Sequence, residues 1–371
     1  MERTVIIQPD ASAASPGPVR EEHVHYLVVV AGPDLGRRIA LGAEPLSIGR
    51  AVPCDLLLED SEVSRHHCRV AVDHGQCAVT DLNSSNGTFV DEQRVSGSMT
   101  LADGALLRLG RHVLKHEYRS RREVEASQEL DRDLEKARRY VLSLLPAPIR
   151  DGPVRTDWVF HPSAKLGGDA FGYHALDERT FAGYVVDVSG HGALAAMHTV
   201  SVMNVLRKQA LPRTDFRKPS QVLKNLNAMF QMDAHGGMFF TIWYGVYDRL
   251  ERTLTFCTAG HHPAFLVPAD KHRLVPLKTR NVAIGADADH PFQSDSVSVP
   301  PGAMLYVFSD GVFEIVTKDG AQWGLADFAP LILEPAVPDL GEPERLYRAV
   351  QRVAGSGALH DDFSLLVVTF N

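Results

Sequence analysis

Phe181-Ala182-Gly183-Tyr184-Val185-Val186-Asp187-Val188-Ser189-Gly190-His191-Gly192 places an acid at the end of an apolar run and follows it with a glycine-rich turn. The run reads as a buried strand. Behind it, Gly190 to Leu211 is rich in Ala, Leu, Met and Val and is followed by Pro212, which predicts a helix ended by that proline. The N-terminal amides of such a helix would face a bound phosphate. Three more aspartates sit at strand ends in the same manner. Asp310 closes Ala303-Met304-Leu305-Tyr306-Val307-Phe308-Ser309, Asp169 opens the stretch into Phe171-Gly172-Tyr173, and Asp361 opens Phe363-Ser364-Leu365-Leu366-Val367-Val368. With these four strands antiparallel, the carboxylates would gather at one edge of a sheet. Two carboxylates about 4 Å apart repel by roughly 4 kcal/mol at an effective dielectric near 20. Hard divalent cations remove that penalty, and all-oxygen ligation suits Mg²⁺ or Mn²⁺ rather than zinc. A pair of such ions about 3.5 to 4 Å apart is a recurring device for phosphate hydrolysis. Each aspartate alone reads as a turn residue or helix cap; the four together read as a metal site.

Gly167-Gly168-Asp169, Asp187-Val188-Ser189-Gly190-His191-Gly192, Ser309-Asp310-Gly311 and Asp361-Asp362-Phe363-Ser364 occur in that order. In this the chain resembles the metal-dependent protein phosphatases related to protein phosphatase 2C, in the bacterial branch that includes SpoIIE and RsbU. The resemblance runs from about Leu144 to Asn371 and takes in Phe240-Thr241-Ile242-Trp243-Tyr244-Gly245 and Thr258-Ala259-Gly260-His261-His262-Pro263. It implies an α+β fold of αββα type and a cofactor of two divalent ions, Mn²⁺ or Mg²⁺. Carried over residue by residue, it implies that Asp187 bridges both ions, with the Val188 carbonyl as a further ligand. Asp310 and Asp361 would hold one ion, and Asp169 would face the other directly or through water. These four acids would be the catalytic set, and a metal-activated water would attack phosphorus without a covalent enzyme intermediate. One departure stands out: the family often places a second acid three residues after Gly-Gly-Asp, where it could orient metal-bound water, and this chain has Gly172. His191 reads either as a general acid or as a structural turn residue, and His261 and His262 as loop scaffolding.

From His25 to about Tyr118, short apolar runs alternate with Gly, Asp, Asn and Pro clusters, as in Tyr26-Leu27-Val28-Val29-Val30, Cys68-Arg69-Val70-Ala71-Val72 and Gln76-Cys77-Ala78-Val79-Thr80. Strands at this spacing predict a β-sandwich. Gly49-Arg50, Ser64-Arg65-His66-His67 and Asn83-Ser84-Ser85-Asn86-Gly87-Thr88 fall between strands. In that order they resemble the forkhead-associated (FHA) domain, a phosphothreonine reader. The resemblance implies that Arg50, Ser64 and Arg65 contact the phosphate, that Ser85 assists, that Asn86 holds the peptide backbone, and that His67 buttresses the loops. A phosphothreonine carries roughly 1.5 to 2 negative charges and three strong acceptors, which suits an arginine fork with hydroxyl and amide donors.

Between the two regions, Ser120 to Leu145 is charged and free of Gly and Pro, and predicts one helix. Leu130, Leu134, Ala137, Val141 and Leu144 form a short seam that could self-pair or dock on the catalytic domain. In the SpoIIE/RsbU branch a similar helix ending in Leu-Leu-Pro, here Leu144-Leu145-Pro146, takes part in dimerisation and regulation. The expected organisation is therefore a flexible tail over 1–23, an FHA domain over 24–119, a helical linker over 120–146 and a phosphatase domain over 147–371. A net charge of −8 argues against a nucleic-acid partner and against an anionic membrane surface. With no long apolar run and no signal peptide, a cytoplasmic protein is expected. Cys54, Cys68, Cys77 and Cys257 show no Cys-x-x-Cys spacing and read as reduced, buried thiols. The function so predicted is a metal-dependent protein serine/threonine phosphatase regulated or targeted by a phosphothreonine reader. Its partners would be a phosphothreonine protein at the FHA domain and a phosphoprotein substrate, with STAS-type anti-anti-sigma proteins the branch's usual targets. The alternatives are a pseudophosphatase acting as a phosphothreonine-binding adaptor, which Gly172 keeps in view, and a small-molecule phosphatase.

Overall fold

The computed structural model describes residues 23–190, 192–355, 359 and 361–371. The chain divides between Asp131 and Arg132 into two compact units. The tail expected over 1–23 lies outside the described residues except for His23, which begins a strand instead, pairing with Ser120 and stacking on Tyr118.

The first unit is a β-sandwich. One sheet runs, in spatial order, Arg38–Leu41, His23–Ala31, His112–Ser120, Leu106–Leu109, Phe89–Val90 and Gln93–Arg94; the other runs Leu56–Leu57, Leu46–Gly49, Cys68–Asp73, Gln76–Asp81 and Ser98–Leu101. Period-two patterning builds its core: Leu27 and Val29, Cys68 and Val70, Cys77 and Val79, and Leu107 and Leu109 all point inward. Polar and charged partners such as Arg69 alternate with them on the outer face.

Helix α1, Arg121–Leu144, begins at a reciprocal cap in which the Ser120 amide donates to the Glu123 carboxylate and the Glu123 amide donates to Ser120 Oγ, each at 3.1 Å. Its seam is used unevenly. Leu134, Ala137 and Val141 pack on Leu166 and Ala196, and Leu144 packs on Ala170 and Met203, whereas Leu130 is exposed.

In the second unit two antiparallel sheets face each other between helical layers. The first sheet runs Asp169–Ala175, Thr180–Val188, Phe240–Asp248, Thr253–Ala259 and Asp295–Ser298; the second runs Val154–His161, Phe363–Phe370, Ala303–Phe308, Ala264–Val267 and Val275–Leu277. Helices α2, Ala193–Arg207, and α3, Pro219–Met229, cover the first sheet; α4, Leu325–Leu333, and α5, Glu342–Ala354, cover the second. Each sheet is thus buried on both faces, which is why its strands read as nearly continuous apolar runs. Val185 packs between the sheets with Trp243, Leu305 and Leu366, while its neighbour Val186 packs under the helices with Val202 and Leu226.

Two expectations are corrected. The four aspartate-bearing strands do not share a sheet. Asp169 and Asp187 are register partners at one end of the first sheet, and Asp310 and Asp361 flank the paired strands Ala303–Phe308 and Phe363–Phe370 of the second. The acids meet across the sandwich. The helix expected over Gly190 to Leu211 spans only Ala193–Arg207, and Pro212 does not end it. Gln209 takes a left-handed φ of 51°, so the chain turns back and buries Leu211 and Phe216 in the core beside α2.

Candidate functional site

Asp169, Asp187, Asp310 and Asp361 line one open pocket of 510 Å³, together with Asp362, Ser163, Thr241 and the backbone around Val188. Asp169 and Asp187 come to it as cross-strand partners, and Thr241 is the partner of Asp187 on its other side. Asp310 starts the single 3₁₀ turn Asp310–Val312 that follows its strand. The turn is fastened to the strand carrying the other motif, because the Ser309 amide donates to Ser364 O at 3.0 Å and Ser309 Oγ donates to Asp362 O at 3.0 Å. The glycines beside these acids answer to this crowding. A Cβ on Gly311 would lie 2.3 Å from Asp362 O, and one on Gly167 would lie 2.0 Å from Asp362 Oδ2.

Electrostatics in the pocket follow from burial and like charge. Burial, then the Asp187 and Asp362 charges, hold Asp169 well above the usual carboxylate range, although hydrogen bonds from Ser309 and Ser364 oppose this. Asp187 is pushed up to about 8 by burial and then by Asp310, Asp361, Asp362 and Glu314. Asp310 is pushed up to about 6 by burial and then by Asp361 and Glu314.

Several supporting groups escaped the sequence reading. Asp362 is buried, and its Oδ1 accepts the Ser163 amide at 2.8 Å and Ser163 Oγ at 3.0 Å while its Oδ2 accepts the Asp169 amide at 3.3 Å. It therefore staples the loop preceding Asp169 to the strand after Asp361. Ser364 Oγ donates to Asp169 Oδ2 at 2.8 Å. Glu314 adds a further negative neighbour to Asp187 after Asp310, Asp361 and Asp362. The Asp361-Asp362-Phe363-Ser364 motif was the visible signal for Asp362 and Ser364; nothing local marks Glu314.

Position 172 lies on the other face of its strand from Asp169. A Cβ there would meet Tyr184 Oη at 2.3 Å, and Tyr184 belongs to the core shared with the helices. An acid at 172 would enter that apolar layer rather than the pocket. His261 is buried and spends both ring nitrogens on the scaffold. Its Nε2 lies 3.0 Å from the Phe308 carbonyl, which can only accept, so Nδ1 is left to accept from Thr241 Oγ1 at 2.6 Å. One imidazole thus ties the strand next to Asp187 to the end of the strand leading to Asp310. Burial and the adjacent His262 hold its pKa well below the ordinary value. His262 Nδ1 faces the Pro263 carbonyl at 3.2 Å, and burial lowers this ring to about 4. His191 lies outside the described residues.

In the β-sandwich the three loops named from sequence converge at one end. The Arg50 amide donates to Ser64 O at 3.0 Å, the Ser85 amide donates to Ser64 Oγ at 3.0 Å, and the Ala51 amide donates to Arg65 O at 3.4 Å. The side chains of Arg50, Arg65, Ser85 and Asn86 are exposed. Asn86 Nδ2 donates to Glu62 O at 2.8 Å. His67 is fully buried; it accepts the Ser64 amide on Nδ1 at 3.0 Å and turns Nε2 to Gly87 O at 3.2 Å, bridging two of the loops. Burial holds its pKa below the ordinary value. Asp81, missed in the sequence, anchors the third loop by accepting Ser84 Oγ and Thr88 Oγ1, each at 2.6 Å.

Two family models match the chain: Stage II sporulation protein E (SpoIIE) over residues 177–371 and the FHA domain over residues 46–110. Phosphoserine phosphatase RsbU of Bacillus subtilis is 28% identical over 208 residues, which covers 56% of this chain and 60% of that protein. FHA domain-containing protein FhaB of Mycolicibacterium smegmatis is 36% identical over 100 residues, covering 27% of this chain and 64% of that one. The chain thus spans less than two thirds of the length of either relative. Among solved structures, the SiaA-PP2C domain of Pseudomonas aeruginosa superposes with a TM-score of 0.56 at 20% identity, covering 66% of this chain and 99% of the domain, which speaks to fold. With more than half of its length matched by one family model and the β-sandwich ahead of it by the other, the chain belongs to the SpoIIE family and carries an FHA domain before its SpoIIE domain.

Proposed function

We propose that this protein is a metal-dependent protein serine/threonine phosphatase whose FHA domain binds phosphothreonine on a regulatory or substrate protein. The observation that carries the reading is the pocket in which Asp169, Asp187, Asp310 and Asp361 converge and where burial and mutual repulsion push Asp187 up to about 8 and Asp310 up to about 6. Such acids cannot all ionise together near neutral pH without cations. The donor set is all oxygen and belongs to hard divalent ions, Mn²⁺ or Mg²⁺, so the residues present fit the pair of ions the resemblance implies. Asp169, Asp187, Asp310 and Asp361 would hold them, with the Val188 carbonyl as a further ligand. When bound, the ions supply an activated water for in-line attack on phosphorus and neutralise the phosphoryl oxygens.

The chain's own residues then hold this arrangement. Asp362 and Ser364 fix the backbone and carboxylate of Asp169, and the Ser309 bonds fix the turn bearing Asp310. The exposure of the pocket suits a phosphorylated side chain on a protein surface. RsbU, by its name, acts on phosphoserine. For this chain the reading is phosphoserine or phosphothreonine in a phosphoprotein, with a STAS-type anti-anti-sigma protein as the substrate class to try first. The working boundaries are FHA domain 24–119, linker 120–146 and phosphatase domain 147–371. No helix among the described residues is long and apolar enough to cross a membrane. That Gly172 faces the core shared with the helices supports the enzyme over the inactive adaptor.

The experiment is hydrolysis of phosphoserine and phosphothreonine peptides by the full chain with and without Mn²⁺. Activity that requires Mn²⁺ and disappears with EDTA is expected. Turnover that ignores both would overturn the reading, and inactivity across peptides and metals would return the adaptor.

A further inference from the structure

Three side chains with metal-ligand chemistry converge in the β-sandwich at the end away from Arg50, Ser64 and Ser85. His25 and His116 come from neighbouring strands of the six-stranded sheet, and Cys77 comes from the strand Gln76–Asp81 of the five-stranded sheet. All three are buried, at 6%, 1% and 1% exposure. One ligand atom from each lies within 4.8 Å of the other two. His25 Nδ1 and His116 Nε2 are 2.9 Å apart. The opposite nitrogen of His116, Nδ1, sits 2.8 Å from the Ala102 carbonyl, which can only accept, so Nδ1 carries the ring proton and Nε2 turns a lone pair into the cluster. An imidazole with its outer N–H tied to a carbonyl is the usual support of a metal ligand.

We propose that His25, Cys77 and His116 bind one borderline-soft cation, Zn²⁺ in the first instance, and that the ion cross-links the two sheets of the FHA domain where the chain leaves it for α1. Two imidazoles and a thiolate suit Zn²⁺ and disfavour Mg²⁺ and Mn²⁺, so this site and the carboxylate pocket sort cations by ligand chemistry. Binding replaces the hydrogen bond between the two rings. The His25 ring proton moves to Nε2, the Cys77 thiol proton passes to solvent, and Zn–N and Zn–S bonds form. Tetrahedral bonds of about 2.0–2.1 Å to nitrogen require the two ring nitrogens to open only to about 3.3 Å. A water completes the coordination.

Cobalt reports this site separately from the pocket, since only a thiolate ligand gives a sulfur-to-cobalt charge-transfer band in the near ultraviolet. Titrating reduced, metal-stripped full-length protein with Co²⁺ should produce that band at one equivalent, and one equivalent of Zn²⁺ should abolish it. The band should be lost in Cys77→Ser and retained in Cys54→Ser, whose thiol lies 3.3 Å from His66 Nδ1 and is the competing pair. His25→Gln should shift the visible cobalt bands, which keeps the assignment testable if Cys77→Ser fails to fold. A wild-type protein without the band overturns the proposal, as does a near-ultraviolet band that survives Cys77→Ser or visible cobalt bands that do not move in His25→Gln.

Discussion

At the FHA loops, Ser64, Ser85 and the Arg50 backbone are held by hydrogen bonds between neutral groups, His67 and Asp81 lock the bases of the loops, and the charged ends of Arg50 and Arg65 stand in solvent. At the pocket, the charged groups are acids, raised in pKa first by burial and then by one another. Both regions are read as meeting phosphate, yet one is complementary to it as it stands and the other repels it until cations arrive. A binding site can be pre-organised with its charge paired by the ligand. A hydrolytic site gains from holding charge that only the metal-loaded, transition-state arrangement satisfies.

The largest expected effect is at the acids. Asp187→Asn and Asp310→Asn should each lower Mn²⁺-dependent turnover of phosphopeptides by about a thousandfold, the rate equivalent of several kcal/mol of charge stabilisation. Peptide binding at the FHA loops should be untouched in both variants. Near-normal turnover in Asp187→Asn would break the contrast, because the buried acid would then be structural.

The metal-free protein offers a second way to break it. Asp187 rises from the ordinary 3.8 to about 8 on folding, so the folded state holds this proton more tightly than the unfolded one. The associated stabilisation is full below about pH 4 and is lost as pH climbs through 8. Thermal melts in EDTA should therefore show the second unit weakening over that window, by several kcal/mol at most. Asp187→Asn should flatten the slope, and Mn²⁺ should reverse it by binding the folded state. A slope unchanged in Asp187→Asn would mean that other groups govern the pH dependence.

On the reader side, Arg50→Ala should weaken phosphothreonine-peptide binding by about 1.5–3 kcal/mol, roughly 10- to 150-fold, with no change in turnover on a small phosphate ester. Isothermal titration of phosphorylated and unphosphorylated peptides checks this; equal affinity for the two would end the phosphothreonine assignment. His261→Ala should lower turnover about 10- to 100-fold, the usual cost of losing support behind metal ligands, and should weaken Mn²⁺ affinity while leaving KM nearly constant. A change confined to KM would place His261 at the substrate instead.

What was legible in the sequence follows the same divide. Asp169, Asp187, Asp310 and Asp361 could be named because each sits at the end of an apolar run, the first three near glycines, a local signal. Their meeting across two sheets could not, since strands buried on both faces carry no mark of which sheet they join. The short strands Leu46–Gly49 and Ser98–Leu101 went unseen because partners some twenty residues away in sequence, not their own pattern, make them strands. The α2 helix was overextended because Gln209 gives no sequence sign of a left-handed turn, while Pro212 offered a false stop. Ser364 and Glu314 matter only through what folding brings beside them.

The smallest expected effect concerns α1, whose seam had two predicted uses. The structure packs Leu134, Ala137 and Val141 on Leu166 and Ala196, close in sequence to the Gly167-Gly168-Asp169 loop and to the start of α2 respectively. A helix docked there is placed to bias the loop carrying Asp169. For phosphopeptide binding to change turnover, some element must exist in two arrangements whose balance the ligand shifts. The docked half of α1 is the candidate, with self-pairing as the other arrangement. Coupling at the low end of the usual 1–3 kcal/mol gives about a fivefold change in turnover when saturating phosphothreonine peptide is added to the full chain. Leu134→Ser with Val141→Ser removes apolar burial worth roughly 1.5–3 kcal/mol per side chain at full burial, enough to release the helix. In that double variant the peptide should still bind with unchanged affinity, and turnover should no longer respond to it. Turnover that is identical with and without bound peptide in the wild-type chain would make the FHA domain a recruiting module, with α1 only a spacer. A response that persists in the double variant would move the switch off this seam.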